Sequence, residues 1–191
     1  MAKTARQLGA PLNAQGTAIK PARLEADRLP DHFTRLYRAA YGLCHSREDA
    51  EDLVQETYER VLRRPRFLRP GHDLAYLMRV MRNVWVTDYR SRARGPAIEL
   101  TDEIEFVVDP HADAGLRAVE MRALYDAIGM LSDAYREAIV AVDILGLSYK
   151  EAARALDTPV GTVMSRLYRA RDKVASAVAG VDAADASEPG S

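Results

Sequence analysis

SYKEAARALDTPVGTVMSRLYRARDKV, residues 148–174, reads as two short helices joined by a tight turn. Ser148 is a candidate N-cap, and Glu151 three residues on completes a capping box. Ala152, Ala153 and Leu156 keep one side of the first helix thin and apolar, so a partner helix can cross it closely. The turn falls at Asp157. Thr158 is the expected cap of the second helix, with Pro159 at its first position, where a missing N–H costs nothing. Val163, Leu167, Ala170 and Val174 then form a buried stripe at helical spacing. The opposite stripe is Thr162, Ser165, Arg166, Arg169 and Lys173. Hydroxyls and cations along the start of a helix suit a DNA groove, since Arg forks onto guanine or phosphate and the helix dipole favours phosphate. For an isolated helix pair, a plain hairpin with a solvated basic face is the better fit. The capping box, the proline and the polar row together favour a DNA-binding helix-turn-helix.

Outward from that stretch, the 191-residue chain has room for one domain or two small ones. Aromatics make up 7% of it, and no long alternating run suggests a sheet, so the expected class is all-α. A single cysteine, Cys44, rules out a disulfide framework or a cysteine-rich zinc site and is expected to pack as a small apolar side chain. No cofactor or metal is implied. No segment approaches the ~20 apolar residues of a membrane span, and the N-terminus has no apolar signal core, so a cytoplasmic protein without membrane insertion is expected.

The net charge of −1 argues against a protein that coats nucleic acid indiscriminately, but the average conceals segregation. Ser46 to Glu59 carries Glu48, Asp49, Glu51, Asp52, Glu56 and Glu59 against Arg47 alone. Arg60 to Arg94 carries ten arginines against Asp73 and Asp88, and Glu99 to Asp113 carries acids without Lys or Arg. Such blocks suggest different partners for different faces.

In chain order, residues 1–30 show no sustained period and read as a disordered N-terminal arm. Asp31 can cap a first helix with Phe33, Leu36, Tyr37, Ala40, Tyr41 and Cys44 inward. Ser46, with Asp49, starts a second helix that Pro65 ends; its core stripe is Ala50, Leu53, Val54, Thr57 and Val61. Pro65 to Asp73 reads as a loop with Arg66, Phe67, Leu68 and Arg69. Asp73 can cap a third helix with Leu77, Val80, Met81 and Val84 inward, running to about Arg94; its basic end, with Tyr89 interleaved, suits phosphates and bases together. Gly95-Pro96 opens an acidic, flexible linker over 96–115. Helices near Leu116 and after Ser132 precede the helix-turn-helix in a second domain, 116–179, and residues 180–191 read as a disordered tail.

Read together, AEDLVQETYERV (50–61), AYLMRVMRNVWVTDYRSRAR (75–94) and LSDAYREAIVAVDILGLSYKEAARALDTPVGTVMSRLYRARDKV (131–174) resemble, in the right order, a bacterial RNA polymerase sigma factor of the extracytoplasmic function group. This is the compact type with only the second and fourth conserved sigma regions. The resemblance implies two small helical domains: region 2 over 31–95 and region 4 over 116–179. It implies that Asp52, Leu53, Gln55 and Glu56 lie against core RNA polymerase. It implies that Arg66, Phe67, Arg69, Arg79, Asn83, Asp88, Tyr89, Arg90 and Arg92 read and melt the minus-ten element, with a non-template base flipped out and held by the loop. Trp85 is expected in the core. Thr162, Ser165, Arg166, Arg169 and Lys173 would meet double-stranded promoter DNA at the minus-thirty-five element. Met164 stands where the family often has Lys. Anti-sigma proteins are usual partners in the family, though no residue here identifies one.

Two other readings compete. A conventional dimeric helix-turn-helix regulator would need a palindromic site and a dimer interface, and leaves the acidic helix unexplained. An enzyme holding magnesium on Glu48, Asp49, Asp52 and Glu56 would need a second carboxylate helix facing the first, and the only later acidic cluster lies in the linker.

Overall fold

The computed structural model describes residues 22–24, 26–64, 66–68, 71–89 and 114–185. Seven α-helices dominate the described residues: α1 Phe33–Cys44, α2 Arg47–Arg63, α3 Asp73–Val84, α4 Ala114–Gly129, α5 Asp133–Ile139, α6 Tyr149–Ala155 and α7 Val160–Asp185. Trp85–Tyr89 and Val140–Ile144 continue α3 and α5 as single π-helical turns. A two-stranded antiparallel ribbon, β1 Ala22–Arg23 with β2 Phe67–Leu68, is the one sheet among the described residues. No helix there is long and apolar enough to cross a membrane.

In the first half, α2 packs between α1 and α3. The Ser46 hydroxyl accepts from the Asp49 N–H at 3.3 Å, so the cap expected for α2 forms. Ala50, Leu53, Val54, Thr57 and Val61 are its buried stripe, and the Thr57 hydroxyl avoids an unmet bond by donating to the Leu53 carbonyl at 2.7 Å. In the second half, α4, α5 and α6 pack on α7. Gly146 adopts φ +72° where the chain leaves the π turn, a left-handed value that suits glycine.

The two halves lie against each other rather than standing apart on a tether. Helix α1 contacts α4 and the π turn after α5, and α3 contacts α6. Gly42 permits this approach: a Cβ there would sit 3.0 Å from Val140 Cγ2 and 3.1 Å from Ile144 Cδ1. Polar contacts reinforce it. Arg82 Nε meets Glu137 Oε2 at 2.8 Å, His45 Nε2 lies 3.2 Å from Asp126 Oδ1, and His72 Nδ1 lies 3.2 Å from Glu151 Oε1. Arg136 donates to the carbonyls of Gly129 and Leu131 in its own half and of Leu43 in the other, and Arg35 reaches the Leu145 carbonyl. Leu36, Leu43, Leu77 and Met81 thus share one buried cluster with Ile128, Leu145, Leu156 and Leu167.

Several local expectations change. Asp31 does not cap α1; it lies in a 3-10 turn, Pro30–His32, and His32 occupies the cap position without a side-chain bond. Phe33, the first residue of α1, is exposed and stacks on Tyr37. Asp73 is the first residue of α3 rather than its cap, and its carboxylate is spent on Arg28, 3.1 Å away. Of the arm expected over 1–30, residues 22–24 and 26–30 are built into the fold, with Leu24 and Leu29 buried. Helix α4 starts at Ala114, slightly before the expected Leu116, and α7 passes Gly180 to end at Asp185. The rest of the linker and the end of the tail lie outside the described residues.

Candidate nucleic-acid interface

The helix-turn-helix is assembled largely by bonds within itself. Ser148 Oγ accepts from the Glu151 N–H at 3.3 Å, while Glu151 Oε2 accepts from the Ser148 N–H at 3.0 Å, completing the capping box. The Ser148 hydroxyl beside Glu151 holds its carboxyl below the usual glutamate range, helped by His72. Asp157 takes φ +49° in the turn, a left-handed conformation that Asp tolerates better than most residues. Thr158 does not cap α7. Its hydroxyl donates back to the Leu156 carbonyl at 3.0 Å, and the Pro159 carbonyl accepts the first helical bond, from Val163 N–H at 3.0 Å.

Val163, Leu167, Ala170 and Val174 are buried, as their spacing requires, which turns the polar row outward. Ser165, Arg169 and Lys173 are exposed, and Thr162 and Arg166 partly so. The Ser165 hydroxyl donates to the Thr162 carbonyl at 3.0 Å, so it is held close to the helix and offers a lone pair outward. Arg169 hydrogen-bonds Tyr135; its guanidinium lowers the phenol pKa below the ordinary tyrosine value. Arg171, outside the expected row, is committed to a bidentate pair with Asp143 at 2.6 and 2.9 Å. Met164 is exposed on this surface, and so is Tyr168, at 76%. Residue spacing alone did not single out Tyr168, although an aromatic with no core stripe to join was the available signal.

The other basic surface surrounds α3. Arg66, Arg79 and Asn83 are exposed, and Phe67 in β2 shows 75% of its surface. Asp88 and Tyr89 fall on the π turn that follows α3. Arg69, Arg90 and Arg92 lie outside the described residues. Trp85 belongs to the core, 1% exposed.

The acidic surface is the outer face of α2, with Asp52 and Gln55 exposed and Glu56 partly so. Leu53 is a correction. At 0% exposure it sits in the core stripe, and a side chain with no accessible surface offers none to a partner. The charge blocks are also less separate than they read. Arg60 pairs with Glu56 at 2.6 Å and Arg63 with Glu59 at 2.8 Å, so two arginines of the basic block are spent on the acidic helix. Exposed pairs of this kind contribute about 0–1 kcal/mol each and orient side chains more than they stabilise. No cluster of residues able to hold a metal ion occurs among the described residues.

Comparison with known proteins follows the same division. The family model for Sigma-70 region 2 matches residues 31–95, and that for Sigma-70, region 4 matches residues 121–174. The ECF RNA polymerase sigma factor SigE of Mycolicibacterium smegmatis is 34% identical over 169 residues, 83% of this chain and 66% of that protein. The ECF RNA polymerase sigma factor EcfG of Rhodopseudomonas palustris is 37% identical over 150 residues, 76% of this chain and 80% of that one. Among solved structures, the sigma factor RpoE of Bartonella quintana, in complex with the anti-sigma factor NepR, superimposes with a TM-score of 0.62 at 26% identity, covering 81% of this chain and 98% of that one. Two family matches in order, and relatives that align across both halves, show that the chain belongs to the ECF sigma factors of bacterial RNA polymerase.

Proposed function

We propose that this chain acts as a non-catalytic specificity subunit, binding core RNA polymerase in the cytoplasm and directing initiation at two-part promoters. The observation that carries the reading is an outward acidic face on α2 in the same chain as a capped helix-turn-helix with an outward polar row. Asp52, Gln55 and Glu56 supply the polymerase contact. Arg66, Phe67, Arg69, Arg79, Asn83, Asp88, Tyr89, Arg90 and Arg92 handle the minus-ten element, where the melted non-template strand is held. Thr162, Ser165, Arg166, Arg169 and Lys173 enter the major groove at the minus-thirty-five element, with Met164 in place of a cation. Domain boundaries at 31–95 and 116–179 follow from this division.

Because α1 and α3 rest on the second half, the two DNA-facing surfaces are held relative to each other in the free chain, and we infer that the halves part when both promoter elements are engaged on polymerase. An anti-sigma partner, like the one bound to the Bartonella relative, would act by holding them together or covering α2. Run-off transcription with core enzyme on a random promoter library tests the whole reading: the chain should direct initiation and select a two-part sequence. Reversing both Asp52 and Glu56 to Lys should abolish co-purification with core enzyme. Strong operator binding without polymerase, or unchanged pull-down by the reversed variant, would count against it.

A further inference from the structure

Residues 22–24 and 26–32 do something that their sequence does not advertise. The backbone of Ala22–Arg23 pairs antiparallel with Phe67–Leu68, in the register Ala22 to Leu68 and Arg23 to Phe67. A two-residue ribbon has little stability alone, so other contacts must hold it. Leu24 and Leu29 are buried in the core. The Tyr58 hydroxyl donates to the Leu29 carbonyl at 2.9 Å, which ties the segment to α2. At the far end of the loop, Arg28 meets Asp73 at 3.1 Å and His32 Nε2 lies 3.7 Å from the same oxygen. Asp73 is 5% exposed, so its carboxylate is fixed where α3 begins. Phe67–Leu68 and Asp73 are therefore both held by one upstream segment, while Phe67 itself stays in solvent.

We propose that residues 22–24 and 26–32 are a brace that presets Phe67 to receive an unstacked base, with Arg28 as a positioning residue acting through Asp73. The proposal rests on the sigma-factor reading above. An aromatic platform holds a base best when it is already in place, because ordering it on binding would consume part of the stacking energy. Here the ordering is done by groups that never reach the DNA.

The test uses the full chain assembled with core polymerase, and fluorescent single-stranded oligonucleotides carrying the non-template minus-ten sequence selected from the library. One abasic site is moved through that sequence. With the wild-type chain, removing the captured base should weaken binding about fivefold to 150-fold, the value of one stacked base. In Arg28→Ala that ratio should fall at least threefold, with core binding and minus-thirty-five protection unchanged, and Arg28→Lys should restore it. A chain beginning at residue 26, which lacks β1 but keeps Arg28, is the second variant and should also lose discrimination. A full abasic penalty in both variants overturns the brace, as does a wild-type chain with no penalty at any position. Failure of the wild-type chain to join core polymerase would overturn the sigma-factor reading itself, and is read separately.

Discussion

The helix-turn-helix takes its shape from bonds spanning three or four positions, Ser148 to Glu151 and Pro159 to Val163, whereas the approach to α3 takes its shape from Arg28, far upstream of Asp73. Both present cations and a strongly exposed aromatic, Tyr168 in one case and Phe67 in the other. The first surface is a regular helix face, suited to a duplex groove of fixed dimensions. The second is a short ribbon feeding a helix that changes to a π turn, and such irregular backbone suits a strand that has left the duplex. Locally written structure can be carried about as a unit; structure written at a distance depends on the rest of the domain being assembled.

The comparison breaks most readily where the halves meet. Arg82→Ala removes the cation beside Glu137, a carboxylate buried at 4% exposure, and should cost the packed arrangement about 3–5 kcal/mol. Small-angle scattering should show an expanded molecule, and thermal unfolding should split or shift downward. A compact variant with unchanged unfolding would mean that the apolar contacts around Gly42 suffice. A smaller effect probes the regular surface: Arg166→Ala should weaken promoter binding by about 1–3 kcal/mol, at one base pair if it reads an edge and uniformly if it grips phosphate. A panel of single-base promoter variants distinguishes the two, and an unchanged affinity at every position removes Arg166 from the interface.

The smallest effect is alkaline. Burial pushes Tyr125 up to about 12 and Tyr58 up to about 12. Each folded pKa lies above the unfolded value of about 10, so the stabilising contribution is complete below pH 10 and is lost as pH rises toward 12. Tyr125 donates to the Arg38 carbonyl across the divide and Tyr58 to Leu29 in the upstream segment. Tyr125→Phe should therefore flatten the alkaline loss of contact between halves, and Tyr58→Phe the loss of order near Phe67. Hydrogen exchange between pH 9 and 11 reports each separately; equal flattening at both places by either variant would show that the two regions are one cooperative unit.

What was legible in the sequence follows the same line. The stripes of α2 and α7 and the caps at Ser46 and Ser148 could be read because each is a pattern of period 3.6 or a three-residue spacing. Leu53 was readable as core and was also placed on the polymerase surface; a buried stripe cannot serve both. Asp73 looked like a cap because carboxylates often cap helices, but nothing nearby announced that Arg28 would claim it. Leu24 and Leu29 are two apolar residues among polar ones, too few to show a period, and their burial depends on α1 and α2 being present. The contacts between halves, such as His45 with Asp126, join positions whose pairing only the tertiary fold creates.

Glu151 touches both worlds through different atoms: Oε2 serves Ser148, three residues upstream, and Oε1 faces His72 in the other half. Parting the halves surrenders the second contact and leaves the first intact. The helix-turn-helix would then come away with its leading turn still sealed, as a prefabricated part lifted off its seat.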